Sequence, residues 1–131
     1  MIRTGNEKLD NRNIELPVAA DTKLRELTIA AVNANGYAVA GSKATGLKVA
    51  GCVQRYTDNS GGEAGDMTVP VRRGTFVWNK SGTIAGTDIL KLCYIAGVDS
   101  VTLDSTGASV AGRILAVDDD GVTVDMMDTA D

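Results

Sequence analysis

The densest chemistry in the chain lies in Arg113–Asp128, "RILAVDDDGVTVDMMD", where three aspartates precede a glycine. A calcium loop of the helix-loop-helix type needs acids at its first, third and fifth positions, glycine at the sixth and glutamate at the twelfth. With Gly121 as the glycine, Asp118 and Asp120 fit, but Ala116 and Met127 occupy the first and twelfth positions. A hairpin turning at Asp120-Gly121 accounts for the pattern better. It pairs Val117 with Val124, Leu115 with Met126 and Asp119 with Val122 on an apolar face. Asp118 then meets Thr123, Ala116 meets Asp125, and Arg113 meets Asp128 as an opposite-charge pair. Consecutive carboxylates repel, so the tip belongs in solvent.

Other chemistry is sparse. "GYAVAGSK" (Gly36–Lys43) has the glycine spacing of a phosphate loop, but Ser42-Lys43 reverses the required order and no helix start follows. The chain has no histidine, which removes the commonest general base and zinc ligand. Cys52 and Cys93 are distant and apolar in setting, so buried free thiols are expected rather than a disulfide or a metal site. A carboxylate pair could serve a glycosidase, but one Trp, one Phe and three Tyr make a poor sugar cleft. An enzyme is not expected, nor any cofactor.

The chain that must position these residues has 131 positions, enough for one domain with a real core. Apolar residues make up 44% and aromatics 4%, so that core is aliphatic. The net charge of −4 comes without a basic run, which argues against a nucleic-acid partner. The charge is uneven: residues 104–131 hold seven acids and one base, while residues 1–103 hold 12 bases and 10 acids. No run approaches the ~20 apolar residues of a membrane helix. The N-terminus lacks the apolar stretch of a secretory leader, so synthesis in a reducing cytoplasm is expected.

Residues 1–18 read as a polar, extended N-terminal arm and residues 19–131 as a β domain. "LTIAAV", "NANG" and "YAVA" (Leu27–Ala40) form a hairpin signal. A helix over Thr22–Val32, with Leu24, Leu27 and Ala31 on one face, is the alternative. In "GLKVAGCVQRY" (Gly46–Tyr56), Leu47, Val49 and Val53 share a face. "TDNSGGEAGD" (Thr57–Asp66) reads as a long surface loop with a possible functional role. In "MTVPVRRGTFVW" (Met67–Trp78) the apolar parity flips at Gly74, predicting a bulge or corner, and Pro70 predicts a position without a ladder donor, such as an edge. Further strands follow through Cys93 and Ile95, over "SVTLD" and over "VAGRILAV". Many short strands at about ten-residue spacing give an all-β barrel or sandwich of antiparallel strands. Trp78 is a core or an interface anchor, and Arg72-Arg73 are either solvated strand charges or contacts for a partner's carboxylates.

Several segments together carry a family resemblance: "IELPVAADTKL", "NANGYAVAGS", "VPVRRGTFVW", "KLCYI" and "ASVAGRILAVDDDGVTVDM". The chain resembles small decoration, or cement, proteins encoded among the head genes of tailed bacteriophages and Mu-like prophages. The resemblance implies a mostly β protein on the capsid exterior that stabilises joints between major capsid subunits. It implies homo-trimers at symmetry axes, an N-terminal arm reaching to neighbours, and no catalytic residues. Contact residues expected from the arm are Ile2, Arg3, Leu9 and Ile14, with Arg72 and Arg73 from the body. Another virion part, such as a head-completion or tail subunit, and a small β-barrel ligand-binding module are the competing expectations.

Overall fold

The computed structural model describes residues 12–130. The chain is all β. In chain order the strands are β1 (Asn13–Pro17), β2 (Lys23–Leu24), β3 (Ile29–Val32), β4 (Ala38–Ala40), β5 (Lys48–Val53) and β6 (Thr57–Asp58). Then come β7 (Thr68–Arg72), β8 (Thr75–Lys80), β9 (Leu92–Ile95), β10 (Ser100–Thr102), β11 (Val110–Asp118) and β12 (Gly121–Asp125). A single 3-10 turn at Gly86–Asp88 is the helical content of the described residues.

The strands make two units. The first is a five-stranded sheet in the order β1-β7-β5-β3-β4, with β2 and β6 paired separately beside it. This sheet curls until Val18, just after β1, makes a parallel bridge to Ala38 on β4. Its concave side buries Val18, Leu24, Ala30, Ala38, Val53, Val69 and Val71. The second unit is a closed barrel, β10-β8-β12-β11-β9. Its core holds Trp78, Cys93, Ile95, Val101, Ile114, Val122 and Val124, and Ile29, Ala31 and Cys52 from the sheet join that cluster. Thus β3 and β5 supply side chains to both cores, and they are apolar on both faces for that reason.

Local chemistry explains most boundaries. Thr22–Val32 forms no helix: Lys23–Leu24 is β2, Glu26-Leu27 is a turn, and the strand expected from Leu27 begins at Ile29. Asn33 closes the hairpin: its Oδ1 accepts the Asn35 and Tyr37 amides at 3.0 and 3.1 Å, and Gly36 takes φ +90°. The chain passes from sheet to barrel at Arg73-Gly74, where the parity flip placed a corner. Asn13–Pro17, assigned from the sequence to the arm, is instead the outer strand of the sheet, and Val18 is fully buried. Pro70 is not on an edge strand, because β7 lies between β1 and β5. The Gln54 amide donates to the Pro70 carbonyl at 2.9 Å, so proline's missing donor faces Gln54, just past the end of β5.

Two bulges overturn simple alternation. Ala30 pairs with Gly51 but Ala31 with Val49, leaving Ala50 as the extra residue in β5. Val49 therefore packs with the barrel core and Val53 with the sheet core, not on one face. In β11, Ile114 pairs with Val124 and Ala116 with Thr123, leaving Leu115 extra. Leu115, expected inside, is 43% exposed, and Ile114 takes the core position. The turn of this hairpin is Asp119-Asp120, since Asp118 pairs with Gly121. Between the turn and the bulge the pairing moves by two positions from the expected one, which preserves the faces; beyond Leu115 it moves by three, which exchanges them. Asp118 draws the turn there, its Oδ1 accepting the Asp120 and Gly121 amides at 2.9 and 3.2 Å. Gly121 is needed for close approach: a Cβ there would lie 2.4 Å from the Trp78 carbonyl oxygen. Arg113 and Asp128 form an ion pair at 2.9 Å, but not as ladder partners: Arg113 stands opposite Asp125, and β12 ends before Asp128.

The seam between units is hydrogen-bonded. Buried Ser109 accepts the Leu47 amide at 3.0 Å and donates to the Ala44 carbonyl at 2.6 Å. The Ile29 amide donates to Val98, and Lys43 pairs with Asp104 at 2.8 Å. The Lys43 contact, with the Thr106 amide, lowers the Asp104 carboxyl to about 2.

Gly112 tests the packing most sharply, because a Cβ there would lie 2.3 Å from the Asp125 carbonyl oxygen. Gly112→Ala is expected to destabilise the fold by roughly 2–4 kcal/mol in urea titration. Gly86→Ala, where nothing lies within 4 Å, is expected to leave the midpoint unchanged.

Candidate interaction surface

β1 sits at the open edge of the five-stranded sheet. The Arg73 amide donates to Arg12 and the Val18 amide to Met67, which sets the ladder between β1 and β7. In that register Ile14 and Leu16 turn their backbone groups toward β7, and Asn13, Glu15 and Pro17 turn theirs outward. Pro17 has no amide hydrogen, so the outer edge is blunted at that end.

The structure gathers three of the expected contact residues here. Ile14 on β1 stands opposite Val71, with Arg72 and Arg73 following on the neighbouring strand. Ile14 and Arg72, with Asn13, Glu15, Gln54 and Pro70, line a shallow depression of about 560 Å³. The Ile14 side chain is half-buried against the sheet core, so its packing serves the fold. Arg72 is half-buried with Nη1 3.4 Å from Asn13 Oδ1, and Arg73 is exposed. Ile2, Arg3 and Leu9 lie outside the described residues.

The Thr57–Asp66 segment, read as a loop free for function, is instead a clasp. Its first two residues form β6. Asn59 is buried, and its Nδ2 donates to the Ala19 and Glu63 carbonyls, both at 3.0 Å. The Gly61 amide donates to Asp21 Oδ1 and the Gly65 amide to the Val18 carbonyl. These bonds close the open end of the curled sheet. Trp78 is a core residue, 5% exposed, with its indole N–H directed at Met126 Sδ at 3.3 Å.

The surface also has features that escape sequence reading. Leu27 and Leu90 adopt φ +61° and +75°, a left-handed backbone that costs leucine about 1 kcal/mol or more, and both are mostly exposed. Leu90 is held there from both sides. Its amide donates to the Ile114 carbonyl at 2.7 Å, and its carbonyl accepts Arg113 Nη1 at 2.8 Å. No leucine-specific signal in a sequence foretells such a conformation. Among the described residues no three His, Cys, Asp or Glu side chains converge to hold a metal ion. Nor is any helix among them long and apolar enough to cross a membrane.

Both cysteines are free and buried. Burial raises both thiols, Cys93 to about 12, so neither is a ready thiolate near neutral pH. Thiol titration with an aromatic disulfide reagent is expected to leave both unreacted in the native protein and to count both at once in denaturant.

No known protein family, curated protein or solved structure matches the chain.

Proposed function

We propose that the chain is a capsid decoration protein that binds the outer surface of a tailed-phage head and ties neighbouring major capsid subunits together. Two things support this reading. The resemblance in segment order runs from about residue 14 to the C-terminal hairpin. The observation that carries it is the position of β1: the residues before Arg12 join the body at an open sheet edge, beside Arg72 and Arg73. A segment rooted there can leave the body toward a neighbouring subunit without disturbing either core. The guanidinium groups of Arg72 and Arg73 then offer hydrogen bonds and charge to a capsid surface. Specific interfaces of this kind bury roughly 1,600 Å² in total, and repetition over a symmetric shell multiplies a modest contact into firm retention. In this reading the resemblance also implies trimers on the virion exterior.

The test is addition of purified protein to undecorated heads, followed by pelleting. Saturable binding at a fixed ratio to the major capsid protein is expected. A variant lacking residues 1–11 should fold with an unchanged melting curve yet bind more weakly by about tenfold or more. The cut belongs before Arg12, since removal of residues 1–15 would take away most of β1. Arg72→Glu should weaken binding most at low salt, with the difference from the parent protein shrinking as salt is raised. Heads that take up no protein would contradict the proposal, and undiminished binding by the shortened chain would contradict the role of the arm.

A further inference from the structure

The tip of the β3–β4 hairpin carries an asparagine-glycine step, Asn35-Gly36, that the decoration reading does not use. Asparagine is among the chemically labile residues. Both residues of the step are exposed. The Asn35 carboxamide makes no hydrogen bond among the described residues. Gly36 has no side chain to shield its amide nitrogen, and nothing lies within 4 Å of the place where a Cβ would stand.

The other asparagines of the described residues lack one or more of these conditions. Asn59 is buried, and its Nδ2 donates to the Ala19 and Glu63 carbonyls. Asn33 has its Oδ1 occupied by the Asn35 and Tyr37 amides. Asn13 and Asn79 lie in strands, and Ile14 and Lys80 follow them with full side chains. Asp120-Gly121 resembles the step in sequence only. Its Gly121 amide is held by Asp118 Oδ1 at 3.2 Å, and a carboxylate has no amine to release.

We propose that Asn35 is a site of spontaneous covalent modification, closing on the Gly36 amide and becoming isoaspartate or aspartate at a rate set by the turn that Asn33 ties. The steps need water alone. Hydroxide removes the Gly36 amide proton, and the nitrogen attacks Asn35 Cγ. The N–Cγ bond forms, the Cγ–Nδ2 bond breaks, and Nδ2 takes up a proton and leaves as ammonia. Water then opens the five-membered imide at one of its two carbonyls. Opening at Cγ gives aspartate. Opening at the main-chain carbonyl carbon gives isoaspartate, with the chain running through Cγ and lengthened by one methylene. No group is oxidised or reduced. Either product adds one negative charge to a chain of net −4.

The turn restrains the reaction. The Gly36 amide donates to the Asn33 carbonyl at 3.0 Å, so it must be released before its proton is lost. Asn33 Oδ1 holds the amides on either side of the step, those of Asn35 and Tyr37. The reactive form is therefore a local opening of the tip, which leaves both cores in place. The inference goes beyond the decoration reading and needs no capsid.

Incubation of the full chain at mildly alkaline pH, followed by tryptic mapping by mass, tests it. Residues 26–43 form one tryptic peptide holding Asn33 and Asn35. Electron-transfer fragmentation separates the two positions and distinguishes isoaspartate from aspartate. Asn35 is expected to convert ahead of Asn33, Asn59 and Asn79, faster as hydroxide concentration rises, and about tenfold more slowly in the native protein than in denaturant. Asn33→Ala should speed the native conversion by about tenfold, the effect of losing two hydrogen bonds of modest net strength, and leave the rate in denaturant unchanged. Asn33 lies outside both cores, and the comparison of native with denatured parent protein decides if this variant fails to fold. An Asn35 intact in the native protein over many half-times of the denatured chain overturns the inference. So does earlier conversion at Asn59 or Asn79, or a native rate that Asn33→Ala leaves unchanged. None of these results bears on binding to phage heads, which is measured separately.

Discussion

The structure depends on two strands with no solvent face. β3 and β5 send Ala30, Ala50 and Val53 into the curled sheet and Ile29, Ala31 and Cys52 toward the barrel. Small residues are required there, because backbone must approach backbone closely. Gly51 is the extreme case: a Cβ would lie 2.2 Å from the Arg72 carbonyl oxygen. The bulge at Ala50 lets one strand change which core each side chain enters. Removing either unit would leave the other with an apolar sheet face in water, so the two cores are expected to stand or fall together.

That coupling gives the molecule a stiff body whose variable features lie at its margins. The clasp at Asn59 closes one end of the sheet, and Ser109 ties the seam. Arg113 gathers the Leu90 carbonyl, the Asp128 carboxylate and the Ala130 carbonyl, fixing the C-terminal residues to the barrel wall. What remains outward is the outer strand β1, the barrel face around Val77, and leucines held out by left-handed backbone. Two rigid cores with such surfaces are in keeping with the decoration proposal, in which the chain bridges other molecules.

Much of the fold was legible because turn chemistry is local. Asn33 to Gly36, the corner at Gly74 and the acidic turn after Val117 all announced themselves through residue types with a short-range reason to be there. The faces of β5 and β11 were misread because a bulge leaves no mark on composition: Ala50 and Leu115 look like ordinary strand residues. Gly121 was assigned to the turn, but its reason is the Trp78 carbonyl across the ladder, a tertiary contact. β1 read as an arm because Asn13, Glu15 and Pro17 are polar or strand-breaking. They occupy the outward positions of an edge strand, where those properties are tolerated. Of the contact residues, the clustering of Ile14 with Arg72 and Arg73 required the β1–β7 pairing, which spans more than fifty residues of sequence and leaves no periodic trace.

The central claim is that sheet and barrel form one cooperative body through their shared strands, and native-state hydrogen exchange tests it most directly. The amides to follow are Ala19, bonded to Ala38 in the sheet, and Ile95, bonded to Ser109 in the barrel. As denaturant rises toward the unfolding transition, both are expected to merge into a single opening reaction with the free energy of global unfolding. Exchange of Ala19 and its neighbours through a distinctly cheaper opening, with Ile95 still protected, would mean two independent units and would contradict the account.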